Sequence, residues 1–372
     1  MIKNSINSSK IPTALFILLP ILFLCLALFK LYPFENTLFL EKFYDGTPHD
    51  DWDWYALYAS EIVTTGISTI TPPTSWLYGQ FIALCFCIFG ETNIPIYILQ
   101  SLFLSISIVL LYASFYNKMG KTAGLLLLFS LTLFGFLDVF KYYTFRCLSE
   151  NLALFIVSLF LFCFIKGIER NNTKLHIASS VLLGLLCITR PNIFPFAIAT
   201  IFIYAWYISN YKKTIVFTLV FVFTILLQPL GNLFLIQSFS FFPIERLSTQ
   251  SGGYFLTAFD FSKAYRNTMS LFGFMSFTSP EFRWRPHWTV MWILFVIYCI
   301  NKIKSKVKFE MWEIISLTFI ITYYAVILFV ADPDNGNYGF RFYIPGILIV
   351  LPFAIISASK IGKRIVSYFN KL

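Results

Sequence analysis

Apolar runs of about 17 to 25 residues recur from residue 11 to residue 358, separated by short polar or basic connections. A helix needs about 20 apolar residues to cross roughly 30 Å of hydrocarbon, and only a helix satisfies its own backbone groups there one segment at a time. The pattern predicts transmembrane helices at 11–31, 94–116, 121–137, 148–166, 174–190, 192–209, 213–237, 288–303, 311–331 and 342–358. The expected fold class is an all-α polytopic membrane protein with about 10 transmembrane helices, forming a single transmembrane domain over 1–372. The run at 11–31 follows Lys3 and Lys10, is too long for a signal-peptide core and precedes no small-residue cleavage pattern, so a retained first span is expected.

Two stretches are long enough to build structure outside the bilayer: 32–93 as a first external loop, and 238–287 as a second. The apolar run from Trp76 to Gly90 lies within the first and has only 15 residues. Counting it as a full span would invert every later connection, so it is expected to be interfacial or re-entrant.

Charge then fixes the expected orientation. With the N-terminus inside, 17 of the 28 basic residues lie on the inner side, including Lys118, Lys166, Lys212, Lys213, Lys302 and Lys360. Of the 18 acidic residues only Glu169, Glu310 and Glu313 are inside, leaving 15 outside. Composition agrees with a membrane protein: 58% hydrophobic and 12% charged, against about 25% charged in soluble chains. The net charge of +10 is accounted for by the topogenic clusters, so no nucleic acid partner is expected. No Gly-rich phosphate loop is present, which leaves direct use of a cytoplasmic nucleotide unsupported. The seven cysteines lack disulfide or zinc spacing and read as small apolar side chains.

Candidate chemistry concentrates outside. Asp45, Asp50, Asp51, Asp53 and Glu61 crowd into seventeen residues after the first span, among Trp52, Trp54 and Tyr55. From Asp53 onward, Trp54, Leu57, Tyr58, Ile62 and Val63 recur at helical spacing, predicting an amphipathic interfacial helix capped by Asp51 or Asp53. Either carboxylate suits a general base acting on an acceptor hydroxyl or amine; the alternative for each is solvating a loop or capping the helix. Glu150, with Ser149 before it, heads a span on the outer side, where the helix dipole alone would favour an acid. Arg190, in "ITRPNI", lies outside against the charge trend and matches a phosphate by its two-pronged guanidinium; snorkelling to head groups is the alternative. Arg341 and Tyr343 open the last span in "NYGFRFYIPG". Asp138 is a weaker candidate second acid, and Tyr254, Arg283 and Trp284 are candidate sugar or phosphate contacts in the second external loop.

"DDWDWYALYASEI" followed by "TPPTSWLYGQFIALCFCIFG" resembles the first external loop of GT-C glycosyltransferases, in the protein O-mannosyltransferase and aminoarabinose-transferase branch. That branch carries an Asp, often Asp-Glu, then a Tyr-Ala helix and a Pro-Pro segment ending in Phe-Gly. Aligning Tyr55, Ala56, Ala59 and Glu61 puts the family's catalytic Asp on Asp51, although Trp52 stands where the partner Glu often is, and Asp53 is the rival. Glu150, the Thr-Arg-Pro turn at Arg190 and the Arg341/Tyr343 motif follow in family order, so the resemblance spans nearly the whole chain.

The resemblance implies a GT-C-like fold with interfacial helices, and an enzyme taking a sugar from a polyprenyl-phosphate carrier to a glycan, lipid or protein acceptor outside the membrane. It implies inversion at the anomeric carbon, with Asp51 or Asp53 as base and Glu150, Arg190, Arg341 and Tyr343 binding substrate. Some relatives hold a divalent metal on such acids; Asp51 and Glu150 are hard oxygen donors suited to Mg or Mn. The modest external loops favour a bacterial inner (cytoplasmic) membrane and a role in cell-envelope glycan biosynthesis. Rival readings are a surface-polysaccharide polymerase or ligase, a lipid-linked glycan transporter, which would want polar groups inside spans that are expected to be nearly free of them, and a non-enzymatic assembly subunit.

Overall fold

The computed structural model describes Leu18, Leu22 and residues 51–69, 75–134, 149–241, 261–272, 285–329 and 343–370. Every extended element among them is helical: α1 Asp51–Thr65, α2 Trp76–Phe89, α3 Asn93–Met119, α4 Lys121–Phe134, α5 Glu150–Arg170, α6 Thr173–Thr189, α7 Phe194–Ile208, α8 Tyr211–Leu235, α9 Phe261–Leu271, α10 Pro286–Lys304, α11 Met311–Phe329 and α12 Ile344–Phe369. Six segments are long and apolar enough to cross a bilayer: Asn93–Met119, Glu150–Arg170, Pro191–Ile208, Tyr211–Leu235, Met311–Leu328 and Ile344–Phe369. The chain is an integral, multi-pass membrane protein. The expected spans at 121–137 and 174–190 correspond to the shorter apolar helices Thr122–Phe134 and Thr173–Thr189. The span expected at 288–303 is α10, and that at 11–31 lies outside the described residues apart from helical Leu18 and Leu22.

The bundle is built around α5, which packs against α3 and α6, while α12 packs against α10 and α4 and meets α11. α5 and the first half of α12 are buried almost throughout, whereas α7 and α8 leave Phe202, Trp206, Phe223 and Phe234 exposed. An exposed aromatic face on a long apolar helix is what a lipid solvent permits. Of the cysteines, Cys85, Cys163 and Cys187 are buried as expected, but Cys87 is exposed on the outer face of α2.

Side-chain contacts sort the helix ends into two groups. At one end Lys118 of α3 and Lys166 of α5 both reach Glu169, at 2.9 and 2.8 Å, and Lys118 also lies 3.5 Å from Glu310 before α11. Lys302 of α10 pairs with Glu313 of α11 at 3.0 Å, and Tyr298 donates to the same carboxylate. The opposite end collects the heads of α5 and α12 and the tails of α6, α8 and α11. The antiparallel alternation read from charge and hydropathy is therefore reproduced by these helices. We call the two ends lysine-rich and acid-rich.

The helix expected from Asp53 onward is present in the first of the two loop segments. α1 begins at Asp51, so Asp53 sits inside its first turn instead of capping it. Its buried face is Tyr55, Ala56, Tyr58 and Ala59; Trp54, Leu57 and Ile62 are half-exposed and Val63 is exposed. The small alanines let the Tyr-Ala face settle against α2, leaving the larger apolar groups turned away. α2 stays with α1 along its length. Gln80 Nε2 donates to Tyr58 Oη at 2.6 Å near its start, and Ser60 Oγ donates to Glu91 Oε1 at 2.6 Å just beyond its end. At 14 residues α2 is one of the shorter apolar helices.

Candidate active site

The acid cluster separates into distinct roles. Glu61 closes the turn after α1, accepting from Ser68 Oγ (2.8 Å), the Thr69 amide (2.8 Å) and Thr69 Oγ1 (3.0 Å). A carboxylate with three local donors is a fastener of the loop. The Ser68 amide in turn donates to the Leu235 carbonyl at 2.8 Å, which ties the loop to the tail of α8. Asp53 is buried, 8% exposed, in the first turn of α1. Asp51 is the helix's first residue. Asp45 and Asp50 lie outside the described residues, as does Asp138.

Two aromatic hydroxyls carry α1 into the bundle. Tyr55 meets Tyr78 of α2 edge to face, with ring centroids 4.9 Å apart. Tyr58 lies under Gly79, where a Cβ would sit 3.0 Å from its ring, so a larger residue would have to push the ring back by a few tenths of an ångström. Burial pushes the Tyr58 hydroxyl well above the ordinary phenol range, outweighing the opposing hydrogen bond from Gln80, and keeps it neutral. From Tyr78 a buried polar chain continues inward: Gln100 Nε2 of α3 donates to Tyr78 Oη at 3.0 Å, and Asn151 Nδ2 of α5 donates to Gln100 Oε1 at 3.4 Å. Ser75 Oγ, just before α2, donates to Ser149 Oγ at 2.9 Å. These contacts fasten α1 and α2 to the residues on either side of Glu150.

Glu150 heads α5 and forms an ion pair with Arg190; their side chains are only 4% and 14% exposed. The local sequence explains the geometry. α6 ends at Thr189, Arg190 is extended (φ −142°, ψ 95°), and Pro191 cannot continue the α6 ladder, so it opens the 3-10 turn Pro191–Ile193 that leads into α7. The Arg190 amide still donates to the Leu186 carbonyl at 2.8 Å, which fixes where its side chain departs. Tyr323 of α11 lies beside Arg190, Glu150 and Asn192. A buried charge pair ringed by an amide and a phenol is a polar site in an otherwise apolar bundle.

The head of α12 joins the same end. Tyr343 is 1% exposed, and Tyr324, next to Tyr323, donates its hydroxyl to the Tyr343 carbonyl at 2.8 Å. Their rings stack at 6.3 Å. Gly346 makes this possible, since a Cβ there would lie 2.4 Å from the Tyr324 hydroxyl. Asn267 Nδ2 of α9 donates to the Ile327 carbonyl at 3.1 Å, drawing that helix onto the tail of α11. Arg341, Tyr254, Arg283 and Trp284 lie outside the described residues.

Of the residues singled out from sequence, the structure brings Glu150 and Arg190 into contact and places Tyr343 one tyrosine removed from Tyr323. Sequence reasoning did not find Ser75, Tyr78, Gln100, Asn151, Asn192 or Tyr323. The signal for Gln100 and Asn151 was an amide in an apolar run, and the expectation that the spans are nearly free of polar groups is corrected by them and by buried Gln228, Asn232 and His176. Among the described residues no group of three or more His, Cys, Asp or Glu side chains gathers as metal ligands would.

With this geometry described, comparison with known proteins is informative. Residues 72–231 match the family model described as dolichyl-phosphate-mannose-protein mannosyltransferase. The fold is shared with the crystal structure of ArnT from Cupriavidus metallidurans in the apo state, with a TM-score of 0.58 and 10% identity over 95% of this chain. It is shared equally with ArnT from the same organism bound to undecaprenyl phosphate, with a TM-score of 0.56 and 11% identity over 96%. This chain spans 62% of the length of either ArnT chain. No curated protein matches the sequence. The chain therefore shares the fold of these ArnT structures, and the stretch that matches the family model reaches from just before α2 into α8.

Proposed function

We propose that the chain is a membrane glycosyltransferase that takes a sugar from a polyprenyl-phosphate carrier at the acid-rich end and passes it to a glycan, lipid or protein acceptor. The observation that carries this reading is the buried Glu150–Arg190 pair at that end. A guanidinium offers five donors in a fixed fork, and a carboxylate engages at most two of them side-on. Glu150 then serves as a positioning residue that holds Arg190, and the Arg190 guanidinium meets the carrier's phosphate. Undecaprenyl phosphate, held by one of the ArnT structures, is the kind of ligand this requires.

In the reaction, Asp51 or Asp53 takes the proton of an acceptor hydroxyl or amine as its oxygen or nitrogen attacks the anomeric carbon. The bond from that carbon to the phosphate oxygen breaks, and polyprenyl phosphate leaves with the electron pair. Arg190 and Arg341 stabilise the charge developing on the leaving oxygen. One displacement without a carboxylate nucleophile inverts the anomeric configuration. Tyr343 shapes the site through Tyr324. Asp51 and Glu150 are the residues that would hold a divalent ion, and no step of this mechanism is routed through one. The acid-rich end faces away from the cytoplasm, in a bacterial cytoplasmic membrane.

The test is mass spectrometry of surface glycans and glycolipids in a deletion strain complemented with wild type, Asp51→Asn or Asp53→Asn at matched membrane levels. One Asn variant is expected to fail to restore a species that wild type restores, and the missing mass then identifies the sugar. Full restoration by both would remove the carboxylate base and with it this mechanism.

A further inference from the structure

The lysine-rich end contains a cavity that the transferase reading does not use. It lies between the start of α6, the tail of α7 and the start of α8, has a volume of about 160 Å³, and is lined by Thr173, His176, Tyr204, Lys212, Lys213 and Phe217 among others. His176 is 3% exposed, and neither ring nitrogen makes a hydrogen bond of good geometry. The nearby backbone acceptor is the Gly167 carbonyl, which already receives the amide of Asn172 at 3.0 Å. Tyr204 packs edge to face on the imidazole at 5.3 Å and stacks on Phe217 at 4.3 Å, so the wall around the histidine is rigid and aromatic.

The charge at the mouth is positive. Lys213 Nζ donates to Asn171 Oδ1 at 2.8 Å, a neutral acceptor that leaves the lysine's charge in place. Glu169, the acid at the neighbouring end of α5, is held by Lys118 and Lys166. The amino-terminal ends of α6 and α8 both border the cavity and add their partial positive charge. Below the mouth the lining turns apolar, and Ile177 and Val216, 39% and 44% exposed, open it sideways onto the lipid-facing surface. A cationic mouth, a buried imidazole and an apolar side exit together match an amphiphile whose anionic head carries oxygen acceptors.

We propose that this cavity binds the phosphate head group of an anionic membrane lipid, with Lys212 and Lys213 on the phosphate, His176 donating a ring N–H to it, and the acyl chain leaving past Ile177 and Val216. The site lies at the opposite end from the proposed transfer chemistry and is independent of it. Juxtamembrane lysines each strengthen binding to anionic lipid several-fold, so removing the pair costs about tenfold or more.

The test uses the full chain in nanodiscs of phosphatidylcholine containing one-fifth phosphatidylglycerol, released into detergent, with the lipid that remains bound counted by native mass spectrometry. Wild type is expected to retain one phosphatidylglycerol, and to keep it in 10 mM inorganic phosphate. Lys212→Gln/Lys213→Gln is expected to lose it about tenfold more readily, with an unchanged unfolding temperature in pure phosphatidylcholine. His176→Phe, which keeps an aromatic ring but removes both ring nitrogens, should abolish retention. Lys304→Gln/Lys308→Gln, at exposed lysines of the same end, should leave it untouched. Equal loss in both lysine pairs would reduce the effect to bulk charge and overturn the site. Retention unchanged in Lys212→Gln/Lys213→Gln would overturn it outright, and displacement by inorganic phosphate would overturn the lipid assignment in favour of the free anion.

Discussion

The two ends of the bundle use the same residue types in opposite ways. At the lysine-rich end two carboxylates are held by several donors each: exposed Glu169 by Lys118 and Lys166, and buried Glu313 by Lys302, Tyr298 and the Glu310 amide at 2.5 Å. Those contacts close α3, α5, α10 and α11 onto one another, which is what a clamp does. At the acid-rich end buried Glu150 meets Arg190, with Asn192 and Tyr323 beside them. A network of charges at an exposed helix end fastens it; a buried charge pair is weak evidence for stability and needs another explanation. Ligand chemistry supplies one at the acid-rich end, and the clamp needs none.

Removing one member of the Glu150–Arg190 pair should have the largest effect. Arg190→Ala leaves Glu150 buried without its cation, and destabilisation of about 3–5 kcal/mol is expected. It should appear as a large drop in unfolding temperature together with loss of transfer. Arg190→Lys keeps the charge but not the fork, so product formation should fall at least about tenfold while most of the stability remains. A lysine variant as active as wild type would make the acid-rich pair no different from the clamp.

Gly346→Ala comes next. Its methyl would be driven into the Tyr324 hydroxyl, which holds the Tyr343 carbonyl. Overpacking of this kind costs about 1–3 kcal/mol, and product formation should fall with it. The polar chain behind Glu150 is tested by Gln100→Leu, which should cost about 1–2 kcal/mol by stranding Tyr78 and Asn151 and reduce transfer several-fold. The smallest effect is expected at the clamp. Glu169→Gln should lower stability by about 1 kcal/mol or less, since its side chain is 29% exposed, and leave product formation unchanged. Loss of transfer in that variant would erase the distinction between the two ends.

Hydropathy and basic clusters were enough to read the helical architecture, because a bilayer demands long apolar segments and leaves few alternatives. Short helices blurred the count: α4 and α6 are apolar but brief, and six segments meet the length that a full crossing needs. Glu150 and Arg190 were legible one at a time, each as a charge where an apolar run begins or ends. Their pairing was not, since residues forty positions apart meet only through the way α5 packs on α6. The packing of α1 was legible in part. Periodicity picked out Trp54, Leu57, Tyr58, Ile62 and Val63, of which Tyr58 is buried and Ile62 packs against the core, while Tyr55, Ala56 and Ala59 complete the buried face. Gln100 and Asn151 carried a signal, an amide amid apolar neighbours, that hydropathy averaging hides.

The most direct test of the central claim is binding of undecaprenyl phosphate to the purified protein, compared across Arg190→Lys and Glu169→Gln. Binding at least about tenfold weaker in Arg190→Lys and unchanged in Glu169→Gln is the result this account predicts. Equal affinity in wild type and Arg190→Lys would contradict it.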